Sequence, residues 1–438
     1  LVTASLIRRG AGERAIGQVY AANTAGAIAG VALAVHVGFP FLGLKGLIVA
    51  AAGIDVALGV LLLARGGTRS RHAFAWSAGT ASLALVCLGG LALQFDAVRL
   101  ASGVFRTGIL HSATKSQVEA HIDGKTATVS VVRTGGVLTL RTNGKADGAL
   151  RMEGAEPHAD EAMMTLLGAL PLILHPRARQ VATIGFGTGM STHVLLASET
   201  LEVVDTVEIE PAMVQAAARF RPLNARALDD PRSRVHYEDA KSYFASRQTR
   251  YDVILSEPSN PWVSGVATLF SAEFYRDLRR YLRDDGLLFQ WVQAYEMTPA
   301  LLATILAALE ENFSDYELWL PNEGDLLIVA ARNGRVPSPD AGAFENPRLR
   351  AELARFAIRN MDDLLLHRVA GRDTLGPYFA AFGPQPNSDF FPVLDIEAPR
   401  ARFVGAYANE LVLLLQSGLP LLELFDPQAR RRRVPPRR

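Results

Sequence analysis

Residues 181–210, VATIGFGTGMSTHVLLASETLEVVDTVEIE, constrain the fold of this chain more than any other segment. An apolar run stops at a turn that contains Gly185, Gly187 and Gly189, a helix-like stretch follows, and a second apolar run ends in Glu208. Glycines let the backbone approach a ligand closely, and the N–H groups of a following helix point at the same place. A carboxylate at the tip of the second strand can accept both hydroxyls of a ribose. The pattern therefore indicates a nucleoside-containing ligand, and the alternative is a glycine turn that serves packing alone.

Strands and helices continue to alternate after this segment. Further strands are predicted at residues 235–238, 251–256, 287–293, 316–320 and 326–330, with helices at 268–282 and 299–313. A helix at 161–175 is predicted before the segment and leads into its first strand. Seven strands with helices between them predict a doubly wound sheet, parallel except at one edge. Ligands bind beyond the carboxyl ends of the strands in such sheets. Glu208, Asp239 and Glu257 all fall at such ends, so the sequence predicts a site there.

Long apolar stretches with almost no charge come first in the chain. They cover residues 16–41, 46–64 and 73–95, and each approaches the roughly 20 residues that cross a bilayer as a helix. We therefore predict about three transmembrane helices within residues 1–110 and a multi-pass location in the cell membrane. The arginines at 8–14 and 65–71 would be cytoplasmic by the positive-inside rule, which places the following domain outside. Availability of a nucleotide-type ligand favours the cytoplasmic side instead.

Residues 111–160 change to a strand-like alternation. The breaks Asp123-Gly124, Gly135-Gly136 and Asn143-Gly144 are typical of hairpins, which predicts a small antiparallel β domain. Residues 161–335 then form the Rossmann-like domain, residues 336–425 a helical and loop extension, and residues 426–438 a basic tail.

Composition excludes several classes of function. Lys and Arg number 45 against 44 Asp and Glu, so no overall charge favours nucleic acid. The single cysteine, Cys87, excludes an internal disulfide framework and a cysteine-based zinc cluster. We expect no metal.

An ordered set of motifs carries a family resemblance. The segments IGFGTG, VEIE, EDA, VILSEPSNPW, LFSAEFY and GLLFQWVQ resemble those of the spermidine synthase (polyamine aminopropyltransferase) family. They look most like its bacterial branch, in which transmembrane helices precede the enzyme domain. The resemblance implies a β-hairpin domain followed by a Rossmann-like fold of the S-adenosylmethionine methyltransferase type. It also implies decarboxylated S-adenosylmethionine as co-substrate, a small amine such as putrescine as acceptor, and a homodimer.

The resemblance also implies roles for individual residues. Residues beside the methionine-derived part of the nucleoside would be Gly185, Gly187, Thr188 and Gly189. Glu208 would bind the ribose, and Asp239 with Ala240 would lie by the adenine amino group.

The chain departs from the family pattern at the reacting groups. Thr188 stands where the family usually carries an acid, and Asn260 stands where it carries the usual base and amine-binding acid. A neutral amine must attack a carbon next to a sulfonium, so a carboxylate has to accept its proton. Asn260 can hold an amine without taking its proton, whereas Glu257 can reach in as the base. In the alternative reading, both residues only shape a turn made rigid by Pro258 and Pro261.

Aromatic residues near this turn suggest a wall for a cation. Trp262, Trp291 and Tyr295 could face a sulfonium or alkylammonium group, although such residues more often pack in cores. Two other functions stay open. A methyltransferase that uses S-adenosylmethionine itself fits the missing acid at Thr188, and a catalytically silent membrane protein that binds nucleoside or polyamine fits Asn260.

Overall fold

The structure is a computed structural model that describes residues 2–8, 10, 12–64, 69–93, 96–110 and 114–408. The predicted basic tail and residues 409–425 of the predicted extension lie outside the described residues. The chain divides into two compact units. One comprises Leu1–Ser130 with Thr142–Lys145, and the other comprises Val131–Arg141 with Ala146–Arg438.

The helices and strands follow in this order. The first helices are α1 Val2–Arg8, α2 Arg14–Leu33, a π-helical turn Ala34–Gly38, α3 Phe39–Ala64, α4 Arg69–Ala92, α5 Ala97–Leu100 and α6 Val104–Thr107. Next come β1 Ser116–Asp123, β2 Thr128–Thr134, β3 Val137–Thr142, β4 Lys145–Arg151 and α7 Ala159–Leu174. The central elements are β5 Gln180–Ile184, α8 Met190–Leu195, β6 Val203–Glu208, α9 Pro211–Ala217, α10 Ala225–Asp229, β7 Ser233–Tyr237, α11 Ala240–Ala245 and β8 Tyr251–Ser256. After them come α12 Ala272–Tyr281, β9 Leu282–Gln293, α13 Pro299–Glu310, β10 Asp315–Asn322 and β11 Asp325–Ala331. The last are α14 Pro347–Ala354, α15 Met361–Leu365, β12 Arg368–Gly371, α16 Arg372–Ala380 and α17 Val393–Phe403, with short 3-10 turns at Ala218–Phe220, Val266–Phe270 and Ala341–Glu345.

Two helical runs in the first unit are long and apolar enough to cross a membrane. They are Arg14–Ala64 and His72–Ala92. The sequence predicted three stretches, and the first two fall within the first run, on either side of a kink. That run is broken at Gly43, whose φ is 63°. Gly38 lies against the side chain of Leu47, which a straight helix would carry about 13 Å away, so the chain bends sharply here.

Close packing joins α3 to α4, and a side chain of β1 caps the break in α3. Val60 and Val49 of α3 lie against Gly79 and Gly90 of α4, where larger residues would collide. At the bend, the backbone N–H of Leu44 donates to the Asp123 carboxylate at 3.0 Å. That bond replaces an intrahelical partner that the break removes.

Strands β1 to β4 form a four-stranded sheet in that order. The strand ends coincide with the predicted breaks. At two of the breaks both residues have positive φ: Gly135 at 55° with Gly136 at 79°, and Asn143 at 50° with Gly144 at 82°. Positive φ at two successive positions is the backbone that tight two-residue turns require.

The main sheet has eight strands in the order β12-β10-β11-β9-β8-β5-β6-β7. Strands β5 to β9 run parallel, while β10, β11 and β12 pair antiparallel along one edge. The sheet is one strand larger than predicted, because the extension contributes β12, which is only four residues long and pairs with β10. Since β11 is antiparallel to β9, its first residue lies at the edge where the parallel strands end.

Helix boundaries differ from the predictions where side chains cap the backbone. The predicted helix at 268–282 is a 3-10 turn followed by α12, because the Ser271 hydroxyl accepts the N–H of Phe274 and starts a new helix.

The C-terminal extension packs into the same unit as the sheet. The Asn387 carboxamide donates to the carbonyls of Ala267 and Phe270 and accepts the N–H of Leu394.

Candidate active site

The glycine turn after β5 combines two packed glycines with one open one. A Cβ on Gly185 (φ 92°) would lie 2.5 Å from the Glu257 carbonyl oxygen, and a Cβ on Gly189 (φ 79°) would lie 2.9 Å from the Phe186 ring. Gly187 (φ 51°) has no described atom within 4 Å of such a position. The turn therefore leaves space above Gly187, where the chain of a ligand can lie close to the protein backbone.

Glu208 at the end of β6 faces this turn, as the sequence predicts. Its carboxylate accepts the N–H of Phe186 at 2.9 Å and the N–H of Glu210 at 2.8 Å. Burial raises the pKa of Glu208, and these two backbone hydrogen bonds oppose that shift. Each oxygen keeps a second lone pair, so the carboxylate can accept further hydroxyl donors.

Glu257 follows β8 directly and also lies against the turn. Its backbone N–H donates to the Ile184 carbonyl at 3.0 Å, and its carboxylate accepts the Ser191 hydroxyl at 2.7 Å. Burial raises the pKa of Glu257 to about 7, the hydrogen bond from Ser191 opposes the rise, and the negative charge of Asp325 adds to it. A carboxyl group with a pKa near 7 is suited to exchange protons at neutral pH.

Asn260 and Tyr295, both predicted site residues, are brought together. Asn260 is 1% exposed, and its Nδ2 points to the Tyr295 hydroxyl at 3.4 Å. Trp262 contacts side chains of the chain itself. Its indole N–H donates to Glu296 at 2.8 Å, and the Arg402 guanidinium lies over its ring at 4.2 Å, so a cation of the chain itself already occupies one face.

The remaining predicted residues have structural partners. Thr188 is 1% exposed, and its hydroxyl donates to the sulfur of Met164 at 3.1 Å. Asp239 is exposed and accepts the N–H of Ser242 at 3.0 Å, which caps α11. Ala240 is buried as the first residue of that helix. Their ligand roles stay predictions.

The structure also places residues near the site that the sequence motifs did not reveal. Asp147 on β4 accepts the Ser259 hydroxyl at 3.0 Å, and its negative charge is one cause of the raised pKa of Glu208. Ser191 lies two residues after the last glycine of the turn. Its position could have been read from the sequence, but its contact with Glu257 could not.

Asp325 is the second missed acid, and it begins β11. It is 8% exposed and accepts the indole N–H of Trp291 at 2.9 Å and the Asn322 amide at 2.8 Å. Burial raises the pKa of Asp325 to about 6, and these two hydrogen bonds oppose the rise. The signal in the sequence is the antiparallel direction of β11, which places its first residue beside the last residues of β9.

Two surface clefts lie away from this edge of the sheet. One of about 400 Å³ is lined by arginines of α12 with Arg332, and one of about 570 Å³ lies at the amino ends of the strands, near Gln180 and Arg250. Neither includes a predicted site residue. Within the described ranges, no group of three His, Cys, Asp or Glu residues is placed to hold a metal ion.

Comparisons with known proteins find similarity in the central part of the chain. Residues 161–321 match the spermine/spermidine synthase domain. The polyamine aminopropyltransferase of Alkaliphilus oremlandii is 33% identical over 119 residues, which are 27% of this chain and 42% of that protein. That of Moorella thermoacetica is 32% identical over 155 residues, which are 35% of this chain and 54% of that protein. The chain thus spans about half of these relatives or less.

Solved structures similar to this chain include two with spermidine synthase in their names. The crystal structure of spermidine synthase from Thermotoga maritima is 18% identical, with a TM-score of 0.43 over 50% of this chain and 73% of that one. A probable spermidine synthase from Corynebacterium glutamicum is 13% identical, with a TM-score of 0.41 over 54% of this chain and 87% of that one.

Proposed function

We propose, from the premise that residues 161–321 form a spermine/spermidine synthase domain, that this chain is a membrane-anchored aminopropyltransferase. It would move an aminopropyl group from decarboxylated S-adenosylmethionine to a small amine such as putrescine. The observation that carries the proposal is the position of Glu257, a carboxyl group with a pKa of about 7 beside the glycine turn. No metal takes part in this reaction.

The nucleoside half of the site rests on the turn and the strand tips. Open space above Gly187 and the unused lone pairs of Glu208 support a nucleoside whose ribose lies on Glu208. Gly185, Thr188 and Gly189 would border the methionine-derived chain. Asp239 and Ala240 would border the adenine.

Glu257 supplies the proton acceptor in the proposed chemistry. The neutral amine nitrogen attacks the carbon next to the sulfonium, so that an N–C bond forms, the C–S bond breaks and the sulfur leaves as a neutral thioether. The amine nitrogen then carries an extra proton, which Glu257 accepts. Asn260 and Tyr295 would orient the amine, since neither carries a charge that would hold it protonated.

A second candidate function is methyl transfer from S-adenosylmethionine itself. The buried, neutral Thr188, which contacts Met164, favours it, because without an acid at this position no negative charge would repel the carboxylate of the parent nucleoside. Calorimetry with both nucleosides separates the two functions: tighter binding of the parent compound counts against aminopropyl transfer.

The variant Glu257→Gln tests the proposed base. Loss of turnover in this variant supports Glu257 as the base, and retained turnover excludes it. A chain that binds nucleoside but turns over no amine is the silent binding protein that Asn260 suggests.

The apolar helices support anchoring in the cell membrane. The described part of Arg14–Ala64 exposes large apolar side chains such as Ile28, Val31 and Leu62, which lipid would cover. We propose a multi-pass arrangement of residues 1–110, with the β domain, the enzyme domain and the extension on the cytoplasmic side, and a homodimer. A single engineered surface cysteine in a Cys87→Ser background tests the side. Labelling of intact cells by a membrane-impermeant maleimide would contradict the cytoplasmic placement.

A further inference from the structure

Helix α8 begins directly after the glycine turn and lies between two carboxylates. On one side the Ser191 hydroxyl donates to Glu257 at 2.7 Å. His193 follows two positions later, and its Nε2 lies 3.1 Å from a carboxylate oxygen of Glu352. Residues two apart in an α-helix point about 200° away from each other, so the two contacts lie on opposite sides of α8. The helix that carries Ser191 is therefore held from both sides.

Both ring nitrogens of His193 have partners, which fixes the tautomer of the neutral ring. Nδ1 accepts the backbone N–H of Arg226 at 3.1 Å, so the ring proton is on Nε2, which donates to Glu352. The guanidinium of Arg226 donates through Nε to the His193 carbonyl at 2.9 Å and through Nη2 to Glu352 at 2.7 Å. His193, Arg226 and Glu352 thus form a closed ring of hydrogen bonds that joins α8 to α10.

Glu352 is a largely buried charge whose partners keep it ionised. Its side chain is 15% exposed. Burial acts to raise the pKa of Glu352, but the hydrogen bond from His193 and the charges of Arg226 and Arg355 outweigh it and hold that pKa below its usual value. Removing one member of a buried, paired charge leaves the others uncompensated. The ring therefore depends on the Glu352 carboxylate.

The C-terminal extension is what brings Glu352 to α8. Glu352 belongs to α14, which lies beyond the part of the chain that matches the synthase domain. Just before α14, the Asn346 carboxamide donates to the carbonyl of Ala197, which follows α8, at 3.0 Å. Just after α14, Arg355 donates to the completely buried Glu161 of α7. Three side chains in and beside α14 therefore fix α8 relative to α7.

We propose, building on the proposed function, that Glu352 is a positioning residue for the base. Through His193 and Arg226 it fixes α8, and α8 in turn holds the Ser191 hydroxyl on Glu257. The effect of Glu352 on the base passes through the helix between them. The extension is thus part of the machinery that prepares the base for proton transfer.

The two ways in which Glu352 could influence Glu257 have opposite signs. Loss of a nearby negative charge lowers the pKa of a carboxyl group, because its charged form is less repelled. Loss of the hydrogen bond from Ser191 raises the pKa of Glu257, because the charged form loses a donor. The charge of Asp325, which also raises the pKa of Glu257, is the same in every variant used here. The direction of the shift therefore separates positioning from direct electrostatics.

Glu352→Gln keeps the volume of the side chain and removes its charge. Its test is the pH profile of kcat/KM for the amine at saturating nucleoside. We expect the limb that belongs to Glu257 to move up by about half a pH unit or more, because Ser191 is bound to the carboxylate less of the time. At pH 7 the ionised fraction would fall from about one half to about one quarter, and kcat/KM would fall about twofold. A limb that stays in place or moves down overturns the positioning role.

The double variant with Ser191→Ala shows whether the effect passes through Ser191. If it does, adding Glu352→Gln to Ser191→Ala should move the limb by less than about 0.2 units, because the hydrogen bond is already absent. A second full shift in the double variant would make the two residues independent and overturn the positioning role.

Glu317→Gln is the matched control for a loosened extension. The Glu317 side chain is 11% exposed and accepts two hydrogen bonds from Arg368 of the extension, at 2.9 and 2.6 Å. This pair joins β10 to β12 at the edge of the sheet rather than to α8. Glu317→Gln should cost a similar unfolding free energy and leave the limb in place. An equal shift in both variants overturns the role assigned to Glu352.

Infrared titration gives the same answer without turnover. The protonated-carboxyl band that Glu257→Gln removes reports the protonation of Glu257 directly, and its midpoint should rise in Glu352→Gln but not in Glu317→Gln. A raised midpoint in a chain that turns over no amine supports the positioning role while the proposed transfer fails. An unchanged or lowered midpoint overturns the positioning role.

His193→Phe covers the case in which Glu352→Gln does not fold. It keeps a ring in place and leaves Glu352 paired with Arg226, while it removes the side-chain link from α8 to the carboxylate. We expect the infrared midpoint of Glu257 to rise in this variant as well. A midpoint equal to that of the wild type would overturn the positioning role.

Discussion

Ser191 tunes the proposed base, so its removal should move the pH dependence of the reaction. The Ser191 hydroxyl donates to the Glu257 carboxylate at 2.7 Å, and this bond favours the charged form of Glu257. In Ser191→Ala the carboxylate loses that donor, while burial and the charge of Asp325 remain. The pKa of Glu257 should therefore rise above its wild-type value of about 7.

The size of the shift follows from the strength of a hydrogen bond to a charged group. Such a bond contributes about 1.5–3 kcal/mol, which corresponds to about 1–2 pKa units. Water entering the space of the hydroxyl replaces part of it, so we expect a shift of about one unit. The ionised fraction of Glu257 at pH 7 would fall from about one half to about one tenth, and kcat/KM would fall about fivefold.

The assay is the pH profile of kcat/KM for the amine at saturating nucleoside. Ionisation of the free amine affects wild type and variant equally, so only the limb that belongs to Glu257 should move. The two profiles should converge above about pH 9, where Glu257 is ionised in both.

Ser259→Ala is the control. It removes a hydroxyl that donates to Asp147 at 3.0 Å rather than to Glu257, and it should leave the limb in place. Superimposed profiles for wild type and Ser191→Ala would refute Glu257 as the base. A loss that is equal at every pH would instead assign Ser191 a role in shape alone.

Three further predictions concern stability and nucleoside binding. Because folding raises the pKa of Glu257, the folded chain binds the proton more tightly than the unfolded chain. Its contribution is fully present below the unfolded value near 4.5 and is lost as pH rises through about 7. Urea unfolding measures this effect. Between pH 4 and pH 8 the unfolding free energy of the wild type should fall by up to about 3 kcal/mol more than that of Glu257→Gln. Asn387→Ala should cost about 2–4 kcal/mol of unfolding free energy, because three buried hydrogen-bonding groups lose partners. Exposed Asn333→Ala, its control, should cost under about 1 kcal/mol. Gly187→Ala should fold and lose nucleoside affinity in calorimetry, because the new Cβ meets no other described atom of the protein. Gly185→Ala should instead lose stability, because its Cβ would collide with the backbone carbonyl of Glu257.

Each of these predictions has a contradicting result. Parallel stability profiles of wild type and Glu257→Gln from pH 4 to pH 8 would deny the raised pKa. Equal costs at Asn387 and Asn333 would mean that Asn387 does not hold the extension to the 3-10 turn Val266–Phe270. Nucleoside binding to Gly187→Ala at wild-type affinity would show that the space above the turn is not the ligand site.

The sequence predicted elements whose signals are local. Strand β8 occupies the predicted residues 251–256, because its central Val253, Ile254 and Leu255 form an apolar run that suits burial on both faces of the sheet. Glu208 was found for the same reason: it ends a strand, and the glycine turn of the neighbouring strand lies beside it. Strand β12 was missed because four residues cannot carry a periodic pattern, and pairing with β10 is what makes them a strand.

Side-chain partners were beyond the reach of sequence patterns. Nothing in the order of residues shows that Ser191 donates to Glu257, 66 positions away, or that Arg402 covers the face of Trp262. Such contacts depend on how helices and loops pack over the sheet. The predicted aromatic wall therefore did not include a cation that the chain itself supplies.

The acids of the candidate site lie at 257 and 325, whereas residues 188 and 260 carry no charge. Thr188 and Asn260 are neutral and almost fully buried, so they provide shape and hydrogen bonds only. Glu257 and Asp325 are buried acids whose pKa values lie near 7 and near 6, and each is costly to ionise while the site lacks a positive charge. A bound sulfonium or ammonium group would lower both pKa values and ionise the acids. Cation binding and readiness of the base would then be coupled, so the amine's second charge would favour the proton acceptor that its first nitrogen needs.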